Sequence, residues 1–423
     1  MEPENKTSDR ITELKKRMIY IKTCVFRISE YWYTGMLILL TIRTVLQYVQ
    51  MDIIWEDLGQ GNPVILFLIT YFLMKPNYVL LIIAVVRHVC ADQYDIKKSF
   101  TAIAIYFVTA HAVEINHYDD VMMMLLLMIG AWGISFRKLI KIYFVTVLVI
   151  VTGVVLASQI GWIEELIYEV RGGRRAFGFT YPTRFASHVS FLILWYWYLR
   201  GRKTKYREIW IPIGAGIFVQ LFSKARLNAI ILLLLAVVMT WQIFSLRNSE
   251  HSGKEYQMKG WFSSFLALSP ILATLMITTM TVLYSADSKM WSRLNKLMSS
   301  RLSLVQNAMD IYGFQMWGQE ITLSGNGGLG KTASKYFYID SAWMQFSIQY
   351  GLIMLVILLV LFWIVGIRAR NHGNWILLWI LAFVSLHSIV EPQILQLQYC
   401  PLILAFFAEL KKNDTGKMNY EEN

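Results

Sequence analysis

The chain has 423 residues, of which 56% are hydrophobic and only 16% are charged, and its mean hydropathy is +0.46. Soluble domains carry about 25% charged residues, so this composition excludes an ordinary soluble enzyme and indicates a membrane protein. The formal net charge of +12 does not indicate nucleic-acid binding. Most of the basic residues lie in short loops beside apolar runs, where membrane topology accounts for them.

The predicted elements begin with a basic segment, without a cleavable signal peptide, in which residues 10–29 favour an amphipathic helix on the cytoplasmic membrane surface. About twelve apolar runs long enough to cross a membrane follow. They lie near 31–50, 62–89, 99–115, 120–136, 139–158, 183–199, 207–223, 226–246, 261–283, 341–366, 373–389 and 393–409. The second run is interrupted at Lys75-Pro76. The sequence therefore predicts an all-α polytopic membrane protein of about twelve transmembrane helices.

Basic residues collect in alternate loops, which predicts the orientation of the chain. Arg137 and Lys138, the cluster from Arg200 to Arg207, and Arg368 with Arg370 all fall on one side. Positive loops face the cytoplasm, so both termini are expected there. The predicted units are a cytoplasmic segment (1–30), nine spans (31–283), an extracytoplasmic loop (284–340), three spans (341–409) and a cytoplasmic tail (410–423).

Residues 284–340 form the one long polar interruption between two predicted spans. They carry Arg293, Arg301, Asp310, Glu320 and Asp340. Loops longer than about 15 residues without an element of their own are usually functional or disordered. Apolar residues recur at roughly helical spacing in SSRLSLVQNAMDIYG, so we expect this loop to be partly helical and to hold the chemistry.

Three predicted outer segments are basic, although topology disfavours basic residues on that side: 159–182, the turn at 223–226 and the long loop. An anionic ligand on the outer face explains them, because guanidinium groups form paired hydrogen bonds with phosphate. The alternative is pairing with lipid phosphates or with nearby acids. The arginines concerned are Arg171, Arg174, Arg175, Arg226, Arg293 and Arg301, and the acids are Glu164, Glu165 and Glu169.

Two further motifs resemble binding sites, one for phosphate and one for a metal ion, but neither match is specific. GNGGLGKT at 325–332 matches a phosphate-binding loop but lacks the strand and helix that such a loop needs, so a flexible connector is expected. His111, Glu114 and His117 could share a helical face, yet the predicted helix ends among them, which favours a solvated rim over a metal site. No metal or other cofactor is predicted.

Several of these segments together resemble the Wzy-type polysaccharide repeat-unit polymerases of the O-antigen polymerase and ligase superfamily. The resemblance covers the chain from about residue 140. The family has seven characteristic patterns: R-x-x-GF-x-HPN, SR, SGR, lfG, iDN, yGl and a late Glu. The segments of this chain that are similar to them, in the same order, are Arg175–Thr183, Ala225-Arg226, Ser299-Ser300-Arg301, Trp317-Gly318, Ile339-Asp340-Ser341, Tyr350-Gly351-Leu352 and Glu391. This chain departs from the patterns at Tyr181, Thr183, Ala225, Ser341 and Trp343, which suggests a different sugar specificity.

The resemblance implies a metal-independent glycosyltransferase of the bacterial cytoplasmic membrane. It would join undecaprenyl-diphosphate-linked repeat units, a donor and an acceptor, at the outer face, with membrane lipids and a chain-length regulator protein as further partners. Asp340 is the expected catalytic base, and Arg226 and Arg301 are the expected catalytic cations. The expected substrate-binding residues are Arg174, Arg175, Tyr181, Arg293 and Glu391.

Two other functions remain open at this point. A flippase or transporter for the same lipid-linked glycans would carry ionisable residues near span centres, and Arg43 is the main candidate of that kind. A ligase of the same superfamily would move chains to another acceptor. In ligases, the position similar to Asp340 holds histidine, which disfavours this reading.

Overall fold

The computed structural model describes residues 2–49, 75–90, 96–169, 172–251, 256–325 and 337–410. Several predictions lie outside these ranges. They concern Arg171, nearly all of the phosphate-loop match at 325–332, the first part of the span at 62–89 and the tail beyond residue 410. The described part is mostly helical, as the composition predicts.

The helices follow one another with short connections over most of the chain. They are α1 (Glu2–Leu46), α2 (Pro76–Cys90), α3 (Ile96–Asn116), α4 (Asp119–Gly130), α5 (Phe136–Gln159), α6 (Pro182–Arg200), α7 (Trp210–Phe218), α8 (Arg226–His251), α9 (Gly260–Ala267), α10 (Ser269–Val282), α11 (Lys289–Leu297), α12 (Arg301–Tyr312), α13 (Ala342–Gln345), α14 (Leu352–Asn371) and α15 (Trp375–His387). Two short strands, β1 (Ile167–Tyr168) and β2 (Arg174–Arg175), pair antiparallel between α5 and α6.

Within the described ranges, three helices are long and apolar enough to cross a membrane: α5, α8 and α14. The consecutive helices α9 and α10 qualify together as a fourth span, bent by 56°. The bend falls at Leu268, where Pro270 in the first turn of α10 has no N–H to continue the ladder of α9. These helices support a membrane protein, while twelve spans are not confirmed.

Two predicted segments near the start differ from expectation. The amphipathic helix at 10–29 and the span at 31–50 are one unbroken helix, α1, because no proline or glycine separates them. The predicted span at 120–136 is α4, which has only 12 residues. Such a helix is about 18 Å long, too short for a hydrocarbon core of about 30 Å, and most of its residues are buried by its neighbours.

Two predicted spans near the end of the chain also differ. The span at 341–366 is divided by Gly351: α13 runs into a turn of π-helix at Phe346–Tyr350, and α14 begins after the glycine. The predicted span at 393–409 is not a long helix but two buried 3-10 turns, Gln393–Leu395 and Leu402–Phe406. Pro392 and Pro401 immediately precede the two turns, and proline cannot donate the hydrogen bond that a longer helix would need.

We name the two ends of the molecule after the two ends of helix α6: the Tyr181 end and the Arg200 end. At the Arg200 end, Arg137 donates to the Tyr198 carbonyl at 3.4 Å and Lys138 pairs with Glu30 at 2.6 Å. Arg137 and Lys138, both predicted to be cytoplasmic, therefore lie at the same end as Arg200.

The long loop at 284–340 is partly helical, as predicted, and it is fixed by a backbone joint between Gly318 and Gly351. The Gln319 N–H donates to the Gln349 carbonyl at 2.9 Å, and the Leu352 N–H donates to the Gln315 carbonyl at 3.0 Å. Both glycines have positive φ, +89° and +95°. A Cβ on Gly351 would lie 2.3 Å from the Gly318 nitrogen, so only glycine permits this approach.

Replacing either glycine by alanine is expected to destabilise the protein by roughly 2–4 kcal/mol, from left-handed backbone strain and from overpacking. Thermal unfolding in detergent, followed by circular dichroism, would measure the loss for Gly318→Ala and Gly351→Ala. Gly153→Ala in α5 is the matched control, because nothing lies within 4 Å of its new Cβ. Unchanged stability in both joint variants would contradict the close packing.

Candidate functional site

One arginine and two carboxylates from three distant segments meet beside the long loop. The Arg301 Nε lies 3.3 Å from the Asp340 Oδ2, and the Arg301 Nη2 donates to the Glu391 Oε1 at 2.7 Å. The three side chains are only 16%, 13% and 6% exposed. The sequence predicted each of the three as a site residue, and the fold brings them into direct contact. We call them the triad.

Arg301 is held by a tight turn between α11 and α12. Ser299 and Ser300 both take left-handed backbone conformations, with φ of 61° and 67°, which is rare for residues other than glycine. The Asn295 side chain secures the turn: its amide donates to the Tyr284 hydroxyl at 3.1 Å, and its carbonyl accepts from the Ser303 N–H at 3.2 Å. Arg301 is the first residue of α12, so this turn sets its position.

Asp340 and Glu391 are brought together by bonds between the start of α13 and the end of α15. Ser341 caps α13 by accepting from the Met344 N–H, and the Ala342 N–H donates to the Ser388 carbonyl at 3.0 Å. Beyond α15, the Glu391 N–H donates to the His387 carbonyl at 3.0 Å, which continues one more turn. The two carboxylates therefore stand on adjacent chain ends.

The charges within the triad do not balance, since two carboxylates share one guanidinium. Burial raises the pKa of Asp340 to about 6, and the Glu391 charge acts in the same direction while Arg301 opposes it. A carboxyl group with a pKa near 6 is ionised at neutral pH and is still basic enough to accept a proton from a hydroxyl.

Arg184, in the first turn of α6, was not assigned a role from the sequence. Its guanidinium lies 3.6 Å from the centre of the Tyr48 ring. The charges of Arg184, Asp340 and Glu391 all act on the Tyr338 phenol, whose pKa burial raises. The Arg184 side chain forms no hydrogen bond or ion pair with the residues that the structure describes, so no described carboxylate neutralises its charge. The sequence signal that could have indicated Arg184 is its position, one helical turn after Tyr181 at the predicted outer end of α6.

Backbone contacts fix the Arg184 and Tyr48 pair. The Thr180 N–H donates to the Tyr48 carbonyl at 2.9 Å, and Val49 forms a β-bridge with Phe179. The end of α1 is thereby held against the segment that leads into α6.

Arg174 and Tyr181 form a second small cluster at the same end of α6. The Arg174 Nε donates to the Ser223 carbonyl at 3.0 Å, and one terminal nitrogen lies 3.5 Å from the Tyr181 hydroxyl. Lys224, in a left-handed conformation, donates to the Gly172 carbonyl at 2.8 Å. Pro182 lies in the first turn of α6 and follows Tyr181 directly.

The remaining predicted arginines are not part of the triad. Arg175 pairs with Glu165 and also donates to the Gln159 side chain, which is the local acidic pairing that the sequence left open. Arg226 and Arg293 are exposed, and neither forms a hydrogen bond or ion pair with the described parts of the chain. Among the three candidates Arg171, Arg174 and Arg175, Arg174 is thus the buried one, and Arg171 lies outside the described residues.

The described residues contain no group of three or more His, Cys, Asp or Glu side chains arranged to hold a metal ion. His111, one of the possible ligands considered from the sequence, instead packs edge-on against Trp317 at a centroid distance of 4.7 Å. The chemistry available at this end therefore comes from the triad, Arg184 and the surrounding tyrosines.

No protein-family model, curated protein or solved structure matches this chain. The residues themselves offer a buried carboxyl group of raised pKa, an arginine shared by two carboxylates and a second arginine that no described carboxylate contacts.

Removing Arg301 would leave two buried carboxylates without their cation. We expect Arg301→Gln to destabilise the protein by roughly 3–5 kcal/mol, the usual cost of breaking a buried ion pair from one side. Chemical unfolding in detergent would measure the change. The triple variant Arg301→Gln, Asp340→Asn, Glu391→Gln should recover most of the loss, because no unpaired charge remains.

Arg293→Gln serves as the control for the loss of an arginine, since Arg293 is exposed on α11 and its replacement should change stability by less than about 0.5 kcal/mol. Equal stability of wild type and Arg301→Gln would show that the triad does not contribute as described.

Proposed function

We propose that this protein polymerises undecaprenyl-diphosphate-linked oligosaccharide repeat units into a surface polysaccharide. The acceptor hydroxyl attacks the anomeric carbon of the donor glycan, a new glycosidic bond forms, and the bond to the lipid diphosphate breaks. The proton of the hydroxyl passes to a carboxylate, and the diphosphate leaves as an anion. The observation that carries the proposal is the contact between Arg301, Asp340 and Glu391, three residues that separately resemble family motifs.

In this reaction Asp340 is the general base. Burial and the Glu391 charge raise the pKa of Asp340, while the contact with Arg301 favours the ionised carboxylate and orients it. Arg301 thus acts through Asp340 and is a positioning residue. A guanidinium that already faces two carboxylates belongs to a group of net negative charge, which attracts a diphosphate poorly.

The leaving diphosphate needs cations outside the triad. Arg184 fits this task because its charge, like those of Asp340 and Glu391, acts on Tyr338, and no carboxylate neutralises it in the described residues. Arg174 and the exposed Arg226 supply further positive charge at the Tyr181 end of the molecule. Tyrosines around the triad, including Tyr48 and Tyr338, offer ring faces and hydroxyls for sugars.

We further propose that the protein lies in the bacterial cytoplasmic membrane with about twelve hydrophobic segments and both termini in the cytoplasm. The loop at 284–340 and the triad then face outward, and the Arg200 end faces inward. The separation of the triad from the predicted cytoplasmic basic residues along α6 supports this orientation. The segments at 120–136 and 393–409 would be enclosed by the other helices rather than exposed to lipid.

Polysaccharide length in cells tests the function directly. Cells that lack the native protein would be complemented with wild type, Asp340→Asn, Arg184→Gln or Arg247→Gln. The last is a matched control, because Arg247 also stacks on a tyrosine, Tyr206, at 4.5 Å, but at the other end of the molecule. We expect the first two variants to lose long chains and to accumulate single lipid-linked repeats on the outer leaflet, whereas Arg247→Gln keeps long chains.

The other outcomes separate the rival functions. Repeats trapped on the inner leaflet would identify a flippase. Long lipid-linked chains that are no longer transferred to another acceptor would identify a ligase. Normal long chains in the Asp340→Asn variant, at wild-type protein levels, would rule out Asp340 as the base.

The rate of polymerisation should depend on pH through Asp340. The base acts only when ionised, so the rate with purified protein and lipid-linked repeats should rise as the pH passes about 6 and then level off. Asp340→Asn should lower the rate by roughly 100-fold or more and remove this rise. A rate that rises through the same pH in Asp340→Asn would assign the ionisation to another group.

A further inference from the structure

Residues 12–22 of helix α1 are exposed and extend beyond the contacts that α1 makes with the described parts of the bundle at the Arg200 end. These contacts include Ser29, which accepts from Arg87 at 3.2 Å, Glu30, which pairs with Lys138 at 2.6 Å, and Phe26, whose ring lies under Arg87. Residues 12–28 continue the same helix for about 25 Å. We call residues 12–28 the arm.

The arm carries apolar side chains at alternating intervals of four and three residues: Leu14, Met18, Ile21, Val25 and Ile28. This is the spacing of a coiled-coil seam, in which two helices bury one apolar stripe each. Leu14, Met18, Ile21 and Ile28 are 55–61% exposed. Phe26 and Tyr33, which pack on the bundle, lie roughly a quarter of a turn around α1 from the stripe, and Val25 at the bundle end of the stripe is partly buried.

The charges beside the stripe are positive on both sides. Lys15 and Lys22 follow the stripe on one side, in the positions next to Leu14 and Ile21, and Arg17 lies on the other side. Lys16 and Arg27 lie on the opposite face of the helix. The single acidic residue of the arm, Glu13, pairs with Arg17 at 2.8 Å. A partner that covers the stripe must therefore present negative charge at its edges.

Two occupants fit less well. In a parallel pair of arms from two copies of this chain, Arg17 of one copy would face Lys22 of the other, and like charges at these positions oppose pairing. A membrane surface would attract the basic residues, but the arm continues the half of α1 that packs along the bundle. The helix is unbroken from Glu2 to Leu46, so with the predicted span at 31–50 across the membrane the arm would continue out of the bilayer rather than lie on its surface.

We propose that the arm is a docking site for an acidic amphipathic helix of another protein. The partner helix would place Leu, Ile or Val against the stripe and Glu or Asp beside Lys15, Arg17 and Lys22, forming a short two-helix coiled coil. This interaction lies at the Arg200 end, opposite the triad, and it does not depend on the function proposed for the triad.

A designed peptide of four heptads tests the proposal with the full chain in nanodiscs of zwitterionic lipid. The peptide carries Leu and Ile at its seam and Glu at the flanking positions, and a second peptide carries Lys in place of Glu. We expect saturable binding of the acidic peptide by fluorescence anisotropy, weakening with added salt, and no binding of the basic peptide. Met18→Ser with Ile21→Ser should weaken binding about tenfold or more.

The matched control is Ile19→Ser with Tyr20→Ser, which removes equally exposed apolar side chains that lie off the stripe. This variant should bind like wild type. Equal weakening in both double variants, or no binding of the acidic peptide, would overturn the proposal. The proposal would also be overturned if the chain formed a dimer that the stripe variant dissociates. It would be overturned as well if a spin label at position 18 showed the high oxygen accessibility of a site embedded in lipid.

Discussion

The candidate site depends on one interaction, the sharing of the Arg301 guanidinium between Asp340 and Glu391. Each partner is carried by a different segment: the loop helix α12, the entry to α13 and the exit from α15. Charges that are mostly shielded from water must be paired, so these segments are tied to a single arrangement. The two left-handed serines before Arg301 and the glycine joint at 318 and 351 are backbone features that allow the approach.

The same interaction decides what the other cations can do. Because Asp340 and Glu391 together outweigh Arg301, the triad has no surplus of positive charge. In the proposed reaction, the anionic leaving group would therefore have to be met by an arginine without carboxylate partners. Arg184, stacked on Tyr48, satisfies that condition among the described residues, whereas Arg175 does not, since Glu165 neutralises it. The number of arginines at this end matters less than which of them are neutralised.

Much of the site could be predicted from sequence, because polar residues stand out against apolar runs. Arg301, Asp340, Glu391 and the helix at 301–312 were all predicted. The helical boundaries were less predictable. Hydropathy cannot distinguish a span from a buried segment such as α4 or residues 393–409, because apolar residues suit lipid and protein interior alike. A role for Arg184 was not predicted, because its stacking on Tyr48 depends on the contact between α1 and residues 179–180. No local sequence pattern indicates that contact.

Arg174 and Arg175 show why the sequence does not predict which of two consecutive arginines is buried. Side chains of consecutive residues in a strand point to opposite faces. Pairing of β2 with β1 therefore sends Arg174 inward, to the Ser223 carbonyl and Tyr181, and sends Arg175 outward to Glu165. A two-residue strand in a glycine-rich connection has no recognisable pattern of its own. The pairing of β2 with β1, which forms only in the folded protein, thus decides which arginine is buried. The local sequence is compatible with either Arg174 or Arg175.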